Sequence, residues 1–468
     1  MTAGMGRVLM SLLVAGLCFS CVSYYQKNIK FNTYFAQGQL KEAEEVLDKD
    51  KKGPKGKNKL IYFLNKGTVA SMQGNYSGSN QYFEEAYRIS DNHHRNLLNE
   101  GLSLLTNPKM VEYYGEEFEL LMMHYYMALN YLKLGQPEEA LVECKRMNIR
   151  LNQLSDKYKS DNKYKRDAFM HLLMGIIYDA NNDYNNAFIA YRNALEIYQT
   201  DYQKMFDLGP PQQLKEDLLR SAYLSGFYEE LKRYEQEFGM KYQPSSGSEQ
   251  GDLVFLWHNG LGPVKQEWSL NFSIIRGEGG IVTFVNPELG LNFPFSISNE
   301  DYESSGLSKL EFIRVAFPKY VERPLVYQNA VLAGGGKEVS LQLAEDINAI
   351  AFKSLQDRML LELGKSLLRL GLKKAAEYKI RQQNGDLGAA FSIVNAISEQ
   401  ADTRNWQTLP HSIYYARLKL PTGKQTITFT PQGVRSQNKQ ELTVEIKKNS
   451  TYFQTFSSLE ALPAPLFY

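Results

Sequence analysis

Between Phe31 and about Phe238, apolar and polar positions recur with a helical period, and one theme repeats: a helix, a tight polar turn, and a second helix rich in Ala and aromatics. The clearest copies run from Leu64 to Ala86, Met127 to Cys144 and Met174 to Leu195, with shorter ones starting at Phe35 and Tyr223. The turns Gly74-Asn75-Tyr76, Gly135-Gln136-Pro137 and Asn182-Asp183-Tyr184 occupy equivalent places, and Ala140 and Ala187 follow. Gly or Asn there predicts a left-handed end to the first helix, and the Ala predicts close approach of the second. Such hairpins bury their apolar faces only against neighbours, so residues 21–243 are expected to form a solenoid with one extended concave surface. Leu151 to Arg166 reads as a polar insertion.

The period then changes. Residues 244–251, with Pro244-Ser245-Ser246-Gly247-Ser248, form a linker, and beyond it apolar residues run solid or alternate. Leu253 to Trp257 (LVFLW) predicts a strand covered on both faces, and Asn271 to Ile275 and Ile281 to Val285 predict two more. In Tyr414 to Leu420, residues Tyr414, Ala416, Leu418 and Leu420 face one way; Ile427 with Phe429, and Leu442, Val444 and Ile446, do the same in two later strands. Short strands with one wet face predict a small antiparallel β-sandwich over residues 252–468. It carries a helical insertion over about 341–401, where Leu343, Ile347, Ile350, Leu355, Met359, Leu363, Leu367 and Leu370 recur at helical spacing and a second helix begins near Asp386. Lys365, Arg369, Lys373, Lys374, Lys379 and Arg381 beside that stripe read as a solvated cationic face. The fold class is therefore α+β: a helical solenoid followed by a β-sandwich with a helical insertion.

The repeats resemble the tetratricopeptide repeat, whose turn and Ala positions they share, at irregular and longer spacing. The resemblance implies a surface that holds a protein or peptide partner, and the tyrosines Tyr125, Tyr126, Tyr131, Tyr178 and Tyr191 stand at helical spacing within it.

The N-terminus changes the picture again. Residues 1–20 have the form of an export signal: a cationic leader ending at Arg7, an apolar run Val8 to Leu17 too short to span a bilayer, and Ser20 just before Cys21. Cys18-Phe19-Ser20-Cys21 resembles the lipobox of bacterial lipoproteins, which implies that Cys21 carries the lipid and becomes the first mature residue. Three acyl chains exceed what stable membrane attachment requires. Val22-Ser23-Tyr24-Tyr25 carries neither the Asp that retains such proteins in the inner membrane nor an acidic export run. The expectation is a protein anchored to the outer membrane of a bacterial envelope and facing the periplasm.

Formal net charge is +1 over 468 residues, so there is no global field to recruit nucleic acid, which is not expected as a partner. Of 3 cysteines, Cys18 leaves with the signal and Cys21 is lipidated. Cys144 then has no disulfide partner and reads as a buried, inert thiol. No Gly-x-Ser-x-Gly or His-Glu-x-x-His pattern occurs; Ala333-Gly334-Gly335-Gly336-Lys337 lacks the first Gly and the Ser or Thr of a phosphate loop and reads as a mobile loop. The chain is not expected to be an enzyme or to need a cofactor or metal.

Trp257 to Lys265 (WHNGLGPVK) and Ala401 to Pro410 (ADTRNWQTLP) resemble signature stretches of an uncharacterised bacterial envelope lipoprotein family with a lipobox, a tetratricopeptide-like half and a mixed α/β half. That resemblance implies a role in cell-envelope assembly or maintenance and imports no catalytic residue. Read from the residues alone, Arg404 with Trp406 makes a cation–π clamp at a helix-to-strand junction, or holds a carboxylate or sugar ring. The function expected is a membrane-anchored scaffold or adaptor for other envelope proteins. The second expectation is a glycan-binding or peptidoglycan-binding lipoprotein whose site lies in the β half near Trp257, His258 and Arg404.

Overall fold

The computed structural model describes residues 23–96, 111–157, 163–244, 249–277, 280–296, 311–383, 400–434 and 439–461. After a four-residue helix α1 (Tyr24–Lys27), helices pair as α2 (Ile29–Ala36) with α3 (Leu40–Lys49), α4 (Lys59–Met72) with α5 (Tyr76–Asn96), and α6 (Glu117–Lys133) with α7 (Pro137–Lys157). Two further pairs follow, α8 (Ala168–Ala180) with α9 (Tyr184–Ile197) and, after a short helix α10 (Gln203–Phe206), α11 (Gln212–Leu224) with α12 (Tyr228–Phe238).

All five turns are built alike. Gly38, Gly74, Gly135, Asn182 and Gly226 each have a φ between 60° and 80°, which closes the first helix in the left-handed region. Each gives its N–H to the carbonyl three residues back, and the next residue gives its own to the carbonyl five back, as Asn182 does to Asp179 and Asp183 to Tyr178. Inside the hairpins, size is matched across the helix pair. A Cβ on Gly175 would stand 2.4 Å from the Tyr191 ring, and one on Gly67 2.6 Å from Phe83, so these glycines admit the aromatic opposite. The equivalent positions of the α6–α7 pair are Ala128 and Cys144, both fully buried.

Beyond the hairpins the described residues form three four-stranded sheets. The central one orders β12 (Thr451–Ser458), β1 (Gln250–Asn259), β9 (Ser412–Pro421) and β8 (Gln342–Asp346). The second orders β11 (Gln440–Ile446), β10 (Gly423–Gly433), β6 (Tyr327–Gly334) and β7 (Lys337–Ser340). The third orders β4 (Leu291–Ser296), β3 (Ile281–Asn286), β2 (Val264–Arg276) and β5 (Phe312–Val321). Pairing is antiparallel except that β1 and β12 run parallel, a departure from the all-antiparallel expectation that only a non-local connection can produce.

Both faces of the run Leu253 to Trp257 are covered, as its composition predicts. Leu253, Phe255 and Trp257 join Tyr414, Ala416, Leu418 and Leu420 in one apolar core shared with the second sheet, whereas Val254, Leu256, Ile413 and Tyr415 join the core of the helical hairpins. The single wet face expected of the alternating strand Tyr414 to Leu420 therefore fails for β9, because the helices cover what water would otherwise touch. Leu343 belongs to β8 and not to the helix: the long helix α13 runs Ile347–Gln383, and a register shift between Leu343 and Glu345 separates the two. Gly335 and Gly336, at φ 58° and 74°, form a tight hairpin turn between β6 and β7, so the glycine-rich stretch is neither a phosphate loop nor a long mobile one.

The expected helix start at Asp386, Ser245 to Ser248 of the linker, and Cys21 with the preceding signal lie outside the described residues, as do the side chains of the cationic stripe from Lys365 to Arg381. Among the described residues no helix is long and apolar enough to cross a membrane.

Candidate functional site

The β half docks on the first helix of every hairpin. Asn32 on α2 donates to Gln407 Oε1 (2.9 Å), and Asn65 on α4 accepts from Thr408 (3.1 Å). On α6, Glu119 accepts the Trp406 N–H (2.7 Å), the Tyr125 hydroxyl shares a 2.6 Å hydrogen bond with His258 Nε2, and Lys133 donates to the Phe453 carbonyl (2.6 Å). On α8, Asp179 takes Arg417 Nη1 (2.8 Å), and on α11 Asp217 takes the Tyr415 hydroxyl (2.6 Å). The long side of the helical stack, expected to be open for a partner, is thus occupied by the same chain. The cause is the two-faced apolar character of β1 and β9, which demands a second cover.

The candidate residues fall into this seam or behind it. Trp257 has no exposed surface; its ring packs in the core between the first two sheets, against Tyr414 and Phe429, and its indole N–H donates to Ser458 Oγ (2.9 Å). His258, one step along, faces the helices, and burial lowers it to about 4, so the imidazole is neutral at neutral pH. Trp406 packs against Phe83 and Tyr126. Arg404 is 4% exposed and stacks on Tyr113, its guanidinium 5.2 Å from the ring, where the sequence pointed to Trp406. It chelates Asp402 and donates to the Val111 carbonyl (2.9 Å). With both groups buried, neither Trp257 nor Arg404 offers a face to a sugar ring. Cys144 is buried as expected, and burial raises its thiol well above the usual range.

Two sets of buried charges tie the seam. At the start of α6, Glu116 accepts from Lys265 (2.5 Å) and Arg358 (2.7 Å). Burial opposes its ionisation, but Arg358 and Lys265 outweigh burial and hold the carboxyl below the usual range. Glu119, beside it, is raised by burial and by the Glu116 charge. At the other end Asp179, Asp217, Arg220 and Arg417 form the second set, in which burial, with Asp179 adding to it against Arg220, holds the Asp217 carboxyl above its ordinary range.

Asp217, Arg220 and Arg417 of this set line a cleft of about 750 Å³ between α11 and the central sheet, together with Lys241, Tyr242, Lys337 and Lys419 and the carboxylates Glu216 and Asp252. Arg417 spends Nη1 on Asp179 and Asp217, while its buried Nε and Nη2 have no hydrogen-bond partner among the described residues. Those two N–H groups lie along one edge of the guanidinium, the edge that pairs with a planar oxyanion such as a carboxylate. The sequence marked no residue of this cleft as a binding site; Lys337 entered only through the phosphate-loop pattern it fails to complete. The signal available was an Arg in an otherwise apolar strand, at the alternate position shared with the buried Tyr415. Among the described residues no cluster of His, Cys, Asp or Glu could hold a metal ion.

No family model matches the chain, and no curated protein matches it. Solved structures that resemble it include the MamA protein, 13% identical over 46% of this chain and 96% of that one, with a TM-score of 0.28. Others are a tetratricopeptide repeat protein from Parabacteroides merdae (13% identical, 47% and 81% covered, TM-score 0.20) and NprR in complex with its cognate peptide NprX (19%, 50% and 72%, TM-score 0.19). Likeness this slight carries nothing over to this chain, and the repeat character rests on the five hairpins and their common turn.

Proposed function

We propose that this chain is an interaction scaffold held to a bacterial envelope membrane by a lipid on Cys21, facing the periplasm, whose partner docks in the cleft between α11 and the central sheet through a carboxylate. The β half, taken as a sandwich, is a fixed part of the scaffold: it fills the helical stack from within and supplies one wall of the docking site. The observation that supports this reading is a cleft whose lining gathers Lys241, Lys337 and Lys419 above Arg417, whose buried Nε and Nη2 have no hydrogen-bond partner among the described residues. A buried donor pair left without acceptors costs stability, and a ligand that supplies them recovers it.

Peptides with free and amidated C-termini, compared by fluorescence anisotropy, test the docking site. Free carboxylates are expected to bind more tightly, and Lys419→Glu to erase the preference; equal binding of both peptide sets overturns it. Mass spectrometry of the N-terminus tests the anchor, which requires a mature chain that starts at an acylated Cys21.

A further inference from the structure

The chain is built into the protein body almost as soon as it leaves Cys21. Ser23 is 6% exposed, its hydroxyl accepts from the Gln26 N–H (3.2 Å), and its own N–H donates to Gln26 Oε1 (2.8 Å). The Tyr24 N–H then donates to Thr403 Oγ1 (2.9 Å). From Cys21 to Ser23 the backbone reaches at most about 7 Å. A lipid on Cys21 would leave the body almost no tether, so the surface around Ser23 would rest against headgroups.

That surface is basic. The segment from Lys49 to Lys59 holds six lysines and one aspartate, in a chain whose total charge is +1. It is an ordered loop: Gly53, Lys55 and Gly56 donate backward to the carbonyls of Asp50 and Lys52, and Gly53 lies so close under the Tyr62 ring that a Cβ there would stand 2.3 Å from it. The loop sits beside the N-terminus through Arg404, which donates to the Lys57 carbonyl (3.4 Å) and Asn58 Oδ1 (3.3 Å) next to the Thr403 that holds Tyr24. Partial burial, then Arg404 and Lys27, hold Lys57 below its ordinary range, which places these cations within each other's field.

Most of the neighbouring carboxylates are paired, Glu45 with Lys49 at the surface, and Glu42 is exposed. Glu44 and Asp48 pair with Lys66, Glu112 with Lys59, and Asp402 with Arg404, while Asp50 accepts the Lys52 N–H. Lys51, Lys52 and Lys55 are exposed and make no ion pair among the described residues; Lys27, whose charge acts on Lys57, and Lys30, three residues on, are exposed on α1 and α2.

We propose that the loop of Lys51, Lys52 and Lys55, with Lys27 and Lys30, lies on the phosphate headgroups of an anionic membrane and fixes the orientation of the anchored body. The proposal rests on the Cys21 anchor for its geometry, and the test separates the two. The chain from position 21 onward with Cys21→Ser keeps every described residue and has no lipid. It is expected to co-sediment at low salt with vesicles containing phosphatidylglycerol and not with phosphatidylcholine vesicles, and to be released by high salt.

Each lysine near such a surface is worth about fivefold in partition, so Lys51→Gln with Lys52→Gln and Lys55→Gln should lower it about a hundredfold. Lys232→Gln with Lys447→Gln and Lys448→Gln, elsewhere on the surface, should leave partition nearly unchanged. Equal binding to both vesicle types, or equal losses in the two triple variants, overturns the lipid-facing loop whether or not Cys21 is acylated. An unmodified mature N-terminus with the vesicle preference intact removes the anchor and leaves the loop standing.

Discussion

The central sheet is buried on both faces, and the two faces are held by different physics. Toward the second sheet, Leu253, Phe255, Trp257, Tyr414, Ala416, Leu418 and Leu420 make an apolar core in which the indole N–H and a tyrosine hydroxyl find local acceptors. Toward the helices the alternate residues are Val254, Leu256, His258, Tyr415 and Arg417, and they meet Tyr125, Asp179 and Asp217. An apolar core rewards any dense packing of about the right volume. A seam of buried charges is favourable in one alignment only, since each displaced group loses its partner and keeps its desolvation cost. The contrast teaches that burial brings the two halves together while the polar pairs decide where on the helical stack the sheet sits.

The largest effects should come from one deletion on each face. Arg417→Ala leaves Asp179 and Asp217 buried with only Arg220 to balance them and should cost about 3–5 kcal/mol in urea unfolding. Trp257→Ala should cost a similar amount, about 3–5 kcal/mol, by opening a cavity between the sheets. What distinguishes the faces is rescue. Arg417→Met combined with Asp179→Asn should recover most of the loss, because the charge that needed a partner has gone with the partner. Ser458→Ala added to Trp257→Ala should recover none. Equal rescue on both faces, or on neither, would erase the contrast.

Protonation sharpens the comparison further, since the seam buries an imidazole. His258 falls from an ordinary value of 6.5 to about 4 through burial. Below pH 6.5 the unfolded chain takes up a proton that the folded one refuses. The stability His258 contributes is therefore present above pH 6.5 and is lost as pH falls toward 4, up to about 3 kcal/mol. Denaturant midpoints measured across that window should slope less in His258→Gln than in the parent chain. An unchanged slope would place the acid sensitivity elsewhere.

Much of the architecture was legible in the sequence because it is local. A left-handed turn needs Gly or Asn at one position, so all five hairpins announce themselves, and a solid apolar run such as LVFLW must be covered twice. What covers the second face was not legible. Asp179, Asp217, Glu119 and Arg417 are the residue types of a solvated surface, and only assembly of distant segments makes them interior. The parallel pairing of β1 with β12 is equally non-local. Leu343 misled because a strand residue four places before Ile347 mimics a helical stripe. Arg404 stood out as a clamp, yet its ring partner, Tyr113, comes from a segment far away in the chain. The cleft stayed hidden for the same reason, since α11 and β9 share no motif.

The smallest expected effect probes whether every polar contact in the seam favours folding. Lys133 is held mostly out of water, which lowers it from 10.5 to about 8, and its ammonium donates to the Phe453 carbonyl on β12. At neutral pH the hydrogen bond offsets only part of the cost of the desolvated charge, so Lys133→Met should destabilise by no more than about 1 kcal/mol. The sign appears on the alkaline side. Between pH 8 and 10.5 the unfolded chain still holds a proton that the folded chain has released, so the parent gains stability as pH rises while Lys133→Met does not. If the variant instead loses several kcal/mol at neutral pH and responds to alkali as the parent does, Lys133 is a stabilising tie of the same kind as Arg417, and the seam is uniform along its length.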